Sequence, residues 1–352
     1  MGKSTLFNAL TNAGALAANY PFATIEPNKG IVPVPDERLD VLAKMYETDK
    51  KVPATVEFVD IAGLVAGASK GEGLGNKFLA HIRECQAICH VVRAFKNDDI
   101  VRADNKPEND IIQQAKDDID IINLELQLAD EETRAKIEAK RKKSPEDENI
   151  PYLTDKPVIY MFNVDENGLT DRDLQAKLRE VCEKHSFASM CDQRGALASE
   201  PRNDGRERSG EQKDVSANVP QAIFVNAKLE EEMSGMSREE RKEFLESYGV
   251  KHDALEELIR AAYKALGLQS FLTAGKKECR AWTIKQGATA PEAAGTIHTD
   301  FERGFIAASI CNYNDLKELG SEQAVKAAGK LRLEGKTYIM QDGDVVEFKF
   351  NV

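Results

Sequence analysis

Aromatic side chains and long apolar runs are scarce in this sequence, and basic residues are outnumbered by acidic ones. Acidic residues number 60 against 48 basic ones, which gives a formal net charge of −12, and aromatic residues make up only 7%. An acidic balance of this size argues against free coating of nucleic acid or of acidic membranes, although it is compatible with one local basic contact. No apolar run approaches the roughly 18 residues that a membrane helix requires, and no secretory signal is visible. We therefore expect a cytoplasmic protein with no membrane partner.

Cysteine and histidine are also few, and their spacing matches no metal-binding pattern. None of the six cysteines and five histidines is arranged with the spacing of a zinc site. Reduced thiols are the expected state of cysteines in a cytosolic protein. These absences argue against a zinc protein and against a disulfide-stabilised secreted domain.

The first residues, MGKSTLFNAL, match the second half of a phosphate-binding loop. The complete pattern is Gly, four residues and then Gly-Lys-Ser/Thr, placed between a strand and a helix. Gly2, Lys3, Ser4 and Thr5 match its end. Lys3 would reach the β- and γ-phosphates of a nucleotide, and the Ser4 hydroxyl would bind Mg²⁺. The following helix would present its N-terminal amides to the same anion.

Two later segments fit the switch elements of a Mg²⁺-dependent nucleotide site. Thr24, in ANYPFATIEPNKG, would close on the metal when the γ-phosphate is present, although an ordinary loop threonine is the alternative. Asp60-Ile61-Ala62-Gly63 follows an apolar strand and fits the Asp-x-x-Gly element. Asp60 would hold the metal through water, and the Gly63 amide would meet the γ-phosphate. Leu64 stands where many GTPases place the glutamine that orients the attacking water, so slow turnover is expected.

Two strand ends then provide a candidate nucleobase side. KPVIYMFNVDENG is a strand that ends in Asn163-Val164-Asp165-Glu166. A guanine-specific site has Asn-Lys-x-Asp, whereas here Val164 takes the lysine position and Glu166 the aspartate position. This departure argues against strict GTP selectivity, and a plain strand-to-helix turn is the alternative. The next strand, in QAIFVNAKLEEE, ends at Asn226 and Ala227, where a backbone amide usually meets the base.

Periodicity divides the rest of the chain into three parts. Strands alternate with helices on either side of a charged segment, which predicts an α/β fold with a mainly parallel sheet. A long helix is predicted from Ile111 to Ala129. It continues into a charged helical arm whose basic residues are Arg134, Lys136, Lys140, Arg141, Lys142 and Lys143. This cluster suits a contact with an RNA backbone, and a solvated helix face is the alternative. From Gln269 short strands predict a small α+β domain.

Several runs resemble the YchF (Obg-like ATPase) family of P-loop proteins. They are GKSTLFNALT, NYPFATIEPN, EFVDIAGLVAGASKGEGLGNKFLAHIRE, HVVRAF, RAWTIKQGATAPEAAGTIHTDFERGFI and DGDVVEFKFNV. The resemblance covers most of the chain. It implies a nucleotide-binding domain with an inserted helical hairpin, a C-terminal TGS domain of β-grasp fold, preference for ATP over GTP, and association with ribosomes. It also implies that Asn163 and Glu166 lie on the nucleobase side.

Three departures from the family pattern affect these expectations. Family members carry a strand and a longer loop before Gly-Lys-Ser, so our hypothesis is that the reading frame begins upstream of Met1. We expect the 352-residue chain to bind nucleotide less well than such an extended one. Arg102 stands where many members have a histidine discussed as a catalytic group. An arginine could stabilise the charge of a transferring phosphate but cannot act as a neutral base. The helical insertion is also shorter than usual.

The sequence therefore predicts a P-loop domain (residues 1–122 and 154–268) lacking its first strand, a shortened helical arm (123–153) and a TGS domain (269–352). The expected function is that of a ribosome-associated, Mg²⁺-dependent ATPase that hydrolyses ATP slowly as a translation-linked switch. A GTPase of similar fold is one alternative. A ribosome- or RNA-binding module that binds nucleotide poorly, because the phosphate loop is truncated, is another.

Overall fold

A computed structural model describes residues 2–17, 28–61, 74–96, 110–141, 152–185 and 221–351. These residues form two compact units. The first consists of described residues within Met1–Ala13, Ile25–Gly30 and Val59–Leu258, and the second of those within Gly14–Thr24, Ile31–Phe58 and Ile259–Val352. None of the helices in these ranges combines the length and the apolar composition needed to cross a membrane.

A three-stranded parallel sheet forms the centre of the first unit. Its strands, in spatial order, are β4 (Ile88–Ala94), β5 (Val158–Val164) and β6 (Gln221–Val225). Their nearly continuous apolar sequence is typical of buried parallel strands. Phe162 at the middle of the sheet is fully buried, together with Ile119 and Leu178 from two of the helices. The predicted parallel sheet is therefore confirmed, and β5 and β6 deliver the residues that follow them to one edge of it.

Seven helices and two 3-10 turns complete the described part of the first unit or lead out of it. The 3-10 turns are Leu153–Asp155 and Asn167–Leu169. The helices are α1 (Lys3–Ala17), α3 (Leu74–Glu84), α4 (Ile111–Arg141), α5 (Arg172–His185), α6 (Ala227–Glu232), α7 (Arg238–Ser247) and α8 (Ala254–Ala265).

Helix α4 is longer than the span predicted from its apolar period. It continues without a break beyond Ala129 into the charged segment. The Asp130 carboxylate receives three hydrogen bonds from the returning chain, from the Leu153 and Thr154 amides and from the Thr154 hydroxyl, at 2.8–3.0 Å. Asp130 therefore fixes the point at which the charged part of α4 leaves the packed body, and residues 131–139 are mostly exposed.

The second unit is a mixed α+β structure, as predicted for the C-terminal part. Its six-stranded sheet has the order β10-β9-β11-β7-β8-β2. The apolar face of the helix Ala290–Ile297 packs on this sheet, against Phe271, Ile284 and Ile310. The strands are β2 (Lys51–Val52), β7 (Leu268–Ala274), β8 (Cys279–Lys285), β9 (Phe305–Asn312), β10 (Arg332–Glu334) and β11 (Asp344–Phe350). The helices are α2 (Glu37–Met45), α9 (Ala290–Ile297), α10 (Thr299–Arg303), α11 (Tyr313–Leu319) and α12 (Glu322–Ala327).

Apart from the apolar strand predicted before Asp60, the segment between the two predicted switch elements forms structure that was not expected from the sequence. Strands β1 (Lys29–Pro33) and β3 (Thr55–Val59) pair with each other, and β2 pairs in parallel with β8. Arg38, near the start of α2, donates to Asp342 at 2.8 Å. The Lys50 ammonium lies 2.6 Å from the Glu278 carboxylate. A strand of two residues has no detectable period, which is why the pattern of the sequence did not reveal it.

Candidate nucleotide-binding site

Three residues of the predicted phosphate side meet at the start of α1. The Lys3 ammonium lies 2.6 Å from Asp60 Oδ1 and also donates to the Ile61 carbonyl. The Ser4 hydroxyl donates to Asp60 Oδ2 at 3.3 Å. Both side chains of the ion pair are largely shielded, with 31% of Lys3 and 15% of Asp60 exposed. The structure thus brings the Lys3 ammonium and the Ser4 hydroxyl to the Asp60 carboxylate, which lies 56 residues after Ser4 in the sequence.

The backbone fixes both partners of this contact. Helix α1 begins where the Leu6 amide donates to the Gly2 carbonyl at 2.9 Å, and Thr5 lies half-buried in the first turn. On the other side, the Asp60 amide donates to the Asn28 carbonyl at 2.8 Å, just beyond the end of β3. Asn28 has a φ of 71°, a left-handed conformation that asparagine tolerates better than most residues. A serine and an aspartate therefore face each other from two fixed backbone positions.

The chemistry of this donor set suits a hard cation. Mg²⁺ prefers oxygen ligands and is usually bound by one or two carboxylates together with substrate phosphates, rather than by a cage made only of protein. Ser4 and Asp60 are of this kind. Within the described ranges, no group of three or more His, Cys, Asp or Glu residues could hold a metal ion by itself. The residues present fit a magnesium ion that would be bound partly by Ser4 and Asp60 and partly by the phosphates of a nucleotide.

The predicted nucleobase side forms a second connected group. Asn163, at the end of β5, accepts a hydrogen bond from the Ala227 amide through its Oδ1 at 3.0 Å. Asn226, at the end of β6, caps helix α6 by accepting from the Lys228 and Leu229 amides at 3.0 Å. All three of Asn163, Asn226 and Ala227 are nearly buried. The hydrogen bond from the Ala227 amide to Asn163 therefore joins the two strand ends.

Gly2 joins the nucleobase side to the phosphate side. A methyl group placed on Gly2 would lie 2.6 Å from Asn163 Nδ2 and 2.9 Å from the Ala227 Cβ. Gly2 also has a φ of 81°, which side chains rarely adopt. Because Gly2 lies against Asn163 and Ala227 while Lys3, the next residue, contacts Asp60, the two groups of residues are contiguous.

The two altered specificity positions differ in placement. Val164 is only 1% exposed and packs in the core beneath the sheet, so only its backbone could face a nucleotide. Glu166 is exposed at the start of the 3-10 turn Asn167–Leu169. That turn is stabilised by Asp165, whose Oδ1 accepts from the Gly168 amide at 2.8 Å. Glu166 is therefore not required to hold the turn.

Four predicted site residues, Thr24, Gly63, Leu64 and Arg102, lie outside the described residues. Other features next to the site were missed by the sequence analysis. One is the pair of backbone carbonyls of Asn28 and Ile61, which accept from the Asp60 amide and the Lys3 ammonium. Backbone groups are the same in every residue, so no sequence pattern could have indicated them. Another is an ion network behind the nucleobase side, in which the Arg241 guanidinium lies 2.8 Å from Glu230 and 2.7 Å from Asp253.

Two half-buried titratable groups of the same unit lie next to each other on β4. Burial lowers the pKa of His90 to about 4 and raises the pKa of Cys89 to about 12. His90 is therefore neutral at physiological pH, with its ring 5.7 Å from that of Tyr160. The described cysteines Cys85, Cys89, Cys182, Cys279 and Cys311 are free thiols.

Two family models match the two ends of the chain. A model described as a 50S ribosome-binding GTPase matches residues 1–163. A model of the C-terminal domain of YchF GTPases, described as a protein of unknown function, matches residues 268–351. The chain thus consists of a P-loop GTPase-type domain followed by a C-terminal YchF domain.

Complete proteins and a solved structure are similar along the whole length. The ribosome-binding ATPase YchF of Haemophilus influenzae is 45% identical over 100% of this chain and 97% of its own length. The YchF protein of Bacillus subtilis is 44% identical, and Obg-like ATPase 1 of Pongo abelii is 40% identical over 90% of its length. The structure of the Schizosaccharomyces pombe YchF GTPase superposes with a TM-score of 0.73 and 32% identity, covering 99% of this chain and 95% of its own. The chain therefore belongs to the YchF (Obg-like ATPase) family.

Proposed function

We propose that the protein is a Mg²⁺-dependent P-loop ATPase that hydrolyses ATP slowly and acts as a ribosome-associated switch. The observation that carries this proposal is the meeting of Lys3, Ser4 and Asp60 at a point that Gly2 joins to Asn163. A cation, metal-binding oxygens and a nucleobase-side amide then lie in the order in which a nucleotide presents its parts. The names of the relatives, which include ribosome-binding ATPases, support the same function.

On the phosphate side, each residue has a separate role. The Lys3 ammonium would exchange the Asp60 carboxylate for β- and γ-phosphate oxygens. Ser4 would hold Mg²⁺ directly, Asp60 would hold it through water, and Thr24 would complete the set when the γ-phosphate is present. Bound Mg²⁺ would neutralise charge on the phosphates. The amides of Gly2 and Thr5 would face the phosphates at the positive end of α1.

The nucleobase would lie against the ends of β5 and β6. Asn163 and Asn226 would hold the loop, Ala227 would lie beside the base while its amide stays hydrogen-bonded to Asn163, and Val164 would contribute backbone alone. Glu166 replaces the aspartate that would accept from guanine, which supports a preference for ATP. A GTPase of the same fold is the competing proposal, because the family model that matches residues 1–163 and the similar solved structure are both named as GTPases.

Hydrolysis would transfer the γ-phosphoryl group to water through positioning and charge neutralisation. The Gly63 amide would stabilise the γ-phosphate. Leu64 has no polar atom with which to orient the attacking water, and Arg102 could stabilise charge without acting as a base. We therefore expect slow intrinsic turnover, which a Leu64→Gln substitution or added ribosomes would change.

Ribosome association would use the arm and the C-terminal domain. Arg134 and Lys136 lie on the largely exposed part of α4 beyond Asp130. Arg134 stacks on Tyr152 at 4.6 Å, and Lys136 lies 3.9 Å from Glu132, so both can also be explained as a solvated helix face. We propose that residues 134–143 contact ribosomal RNA phosphates in the cytoplasm. In this proposal the nucleotide domain consists of residues 1–122 and 154–268. The arm is formed by residues 123–153 and the TGS domain by residues 269–352.

The direct test is calorimetric titration of ATP–Mg²⁺ and GTP–Mg²⁺ into the protein and into a Lys3→Met variant. We expect ATP to bind more tightly than GTP, and Lys3→Met to weaken ATP binding by at least about tenfold, or about 1.4 kcal/mol. Lys177→Met, which removes an exposed lysine on α5, is the matched control. Tighter binding of GTP would favour the competing proposal, and equal ATP binding by both variants would refute the assigned site.

A further inference from the structure

Helix α6, which follows the nucleobase-side residues, is too short to hold itself in place. It has six residues, Ala227–Glu232, and isolated helices of this length are unstable in water. Its first backbone bond runs from the Glu230 amide to the Asn226 carbonyl at 3.0 Å. Any displacement of Glu230 is therefore passed directly to Asn226, one turn earlier. What holds Glu230 consequently also holds the loop that would face the base.

A single arginine binds Glu230 to the two helices that follow. Arg241 on α7 donates to Glu230 Oε2 at 2.8 Å and, through its Nε, to Asp253 Oδ2 at 2.9 Å. Asp253 in turn caps α8 by accepting from the Leu255 and Glu256 amides through Oδ1. The Arg241 guanidinium thus ties the end of one turn of α6 to both α7 and the start of α8.

Burial makes this contact costly to break. Only 3% of the Glu230 side chain and 11% of the Arg241 side chain are exposed. Burial, with the nearby charge of Asp253, raises the pKa of Glu230 to about 7, against the opposing effect of Arg241. Removing one member of such a buried group leaves its partner without compensation, which is more unfavourable than never having formed the group.

We propose that Glu230 and Arg241 are positioning residues for nucleobase binding, which fix α6 so that the Ala227 amide and the Asn226 cap are held against Asn163. Neither side chain touches the nucleotide in this role. Their effect passes through the bond from Glu230 to Asn226 and through the hydrogen bond between Ala227 and Asn163. This inference concerns the nucleobase side of the proposed nucleotide site and therefore rests on that proposal.

The test compares a ligand that has a base with one that lacks it. Glu230→Leu keeps a similar volume and removes the acceptor for Arg241. We expect it to weaken binding of ATP–Mg²⁺ by at least tenfold and to leave binding of inorganic tripolyphosphate–Mg²⁺ within about twofold of the unmodified protein, both by calorimetry. A merely structural role would change the two affinities together, because it would not distinguish the two ends of the site.

Two further variants separate geometry from charge and from folding. Glu230→Gln keeps an oxygen acceptor for Arg241 and should restore ATP affinity to within about threefold. Arg241→Lys keeps the charge but cannot bridge Glu230 and Asp253. It should therefore weaken binding of ATP–Mg²⁺ but not of tripolyphosphate–Mg²⁺, and it provides the test if Glu230→Leu does not fold. Glu256→Leu is the matched control for Glu230→Leu, since it removes the contact of Arg238 with Glu256 at 3.0 Å between helices α7 and α8 and leaves the contact of Arg241 with Glu230 in place.

The possible outcomes separate this inference from the function on which it rests. If the unmodified protein binds tripolyphosphate and ATP but Glu230→Leu and Arg241→Lys bind both ligands as it does, the positioning role is refuted. Equal losses for both ligands would also refute it, because they would indicate a general structural effect. If the unmodified protein binds neither ligand, the proposed nucleotide site itself is wrong.

Discussion

Gly2 offers the sharpest perturbation of the site, because it touches the nucleobase side while preceding Lys3. In a Gly2→Ala variant the new methyl group would lie 2.6 Å from Asn163 Nδ2 and 2.9 Å from the Ala227 Cβ. The residue would also be placed at a φ of 81°, which costs an L-residue about 1–2 kcal/mol. Displacing Asn163 would weaken its buried hydrogen bond with the Ala227 amide, adding about 1–3 kcal/mol.

The consequence should appear in ATP affinity as well as in stability. We expect Gly2→Ala to lower the free energy of unfolding by about 2–5 kcal/mol, the sum of the two effects. We also expect it to weaken ATP binding by at least tenfold, since Asn163 and Ala227 would move relative to Lys3. Urea unfolding and calorimetric titration measure the two effects separately.

Gly235→Ala is the matched control for this prediction. Gly235 has a φ of 92°, and a methyl group on it would meet no atom within 4 Å. It therefore carries the backbone strain without the contact, and should lose about 1–2 kcal/mol of stability while binding ATP normally. The reasoning is refuted if Gly2→Ala binds ATP as tightly as Gly235→Ala does.

Two further predictions concern stability. Because the pKa of Glu230 is raised from 4.5 to about 7, its contribution to stability is full below about pH 4.5 and is lost as pH rises through 7. The free energy of unfolding of Glu230→Gln, measured by urea unfolding, should therefore rise relative to that of the unmodified protein by up to about 3 kcal/mol between pH 5 and 8. The same pH dependence of stability in both proteins would contradict this. Asp130→Ala removes three hydrogen bonds from the returning chain and should cost about 2–4 kcal/mol. Glu131→Ala, at an exposed position on the same helix, should cost under about 0.5 kcal/mol, and equal losses would show that Asp130 has no special role.

The sequence was sufficient to predict those parts of the molecule that depend on regular patterns. The apolar runs that became β4, β5 and β6 predicted the parallel sheet. The polar residues at the ends of the last two runs predicted that Asn163 and Asn226 would lie at the ends of β5 and β6. The helical period likewise located the start of α4, although not its end, because the charged segment has no apolar face to mark it.

Other features could not be predicted because they depend on contacts between distant residues. Glu230 is the first of three consecutive glutamates, which together look like a solvated helix face, yet only Glu230 is buried, at 2% exposure. Nothing in the local pattern distinguishes it from Glu231, because its burial depends on Arg241 eleven residues later. The two-residue strand β2 is similar, since it forms only beside β8.

The central claim is that Lys3, Ser4 and Asp60 surround one magnesium-bound triphosphate. It is tested most directly by ATP affinity with and without Mg²⁺ in three proteins: the unmodified protein, Ser4→Ala and Thr11→Ala. The Thr11 hydroxyl donates to the Phe7 and Asn8 carbonyls of α1. We predict that Mg²⁺ strengthens ATP binding at least tenfold in the unmodified protein and in Thr11→Ala, and that Ser4→Ala loses most of this gain. An undiminished gain in Ser4→Ala, or none in the unmodified protein, would contradict the claim.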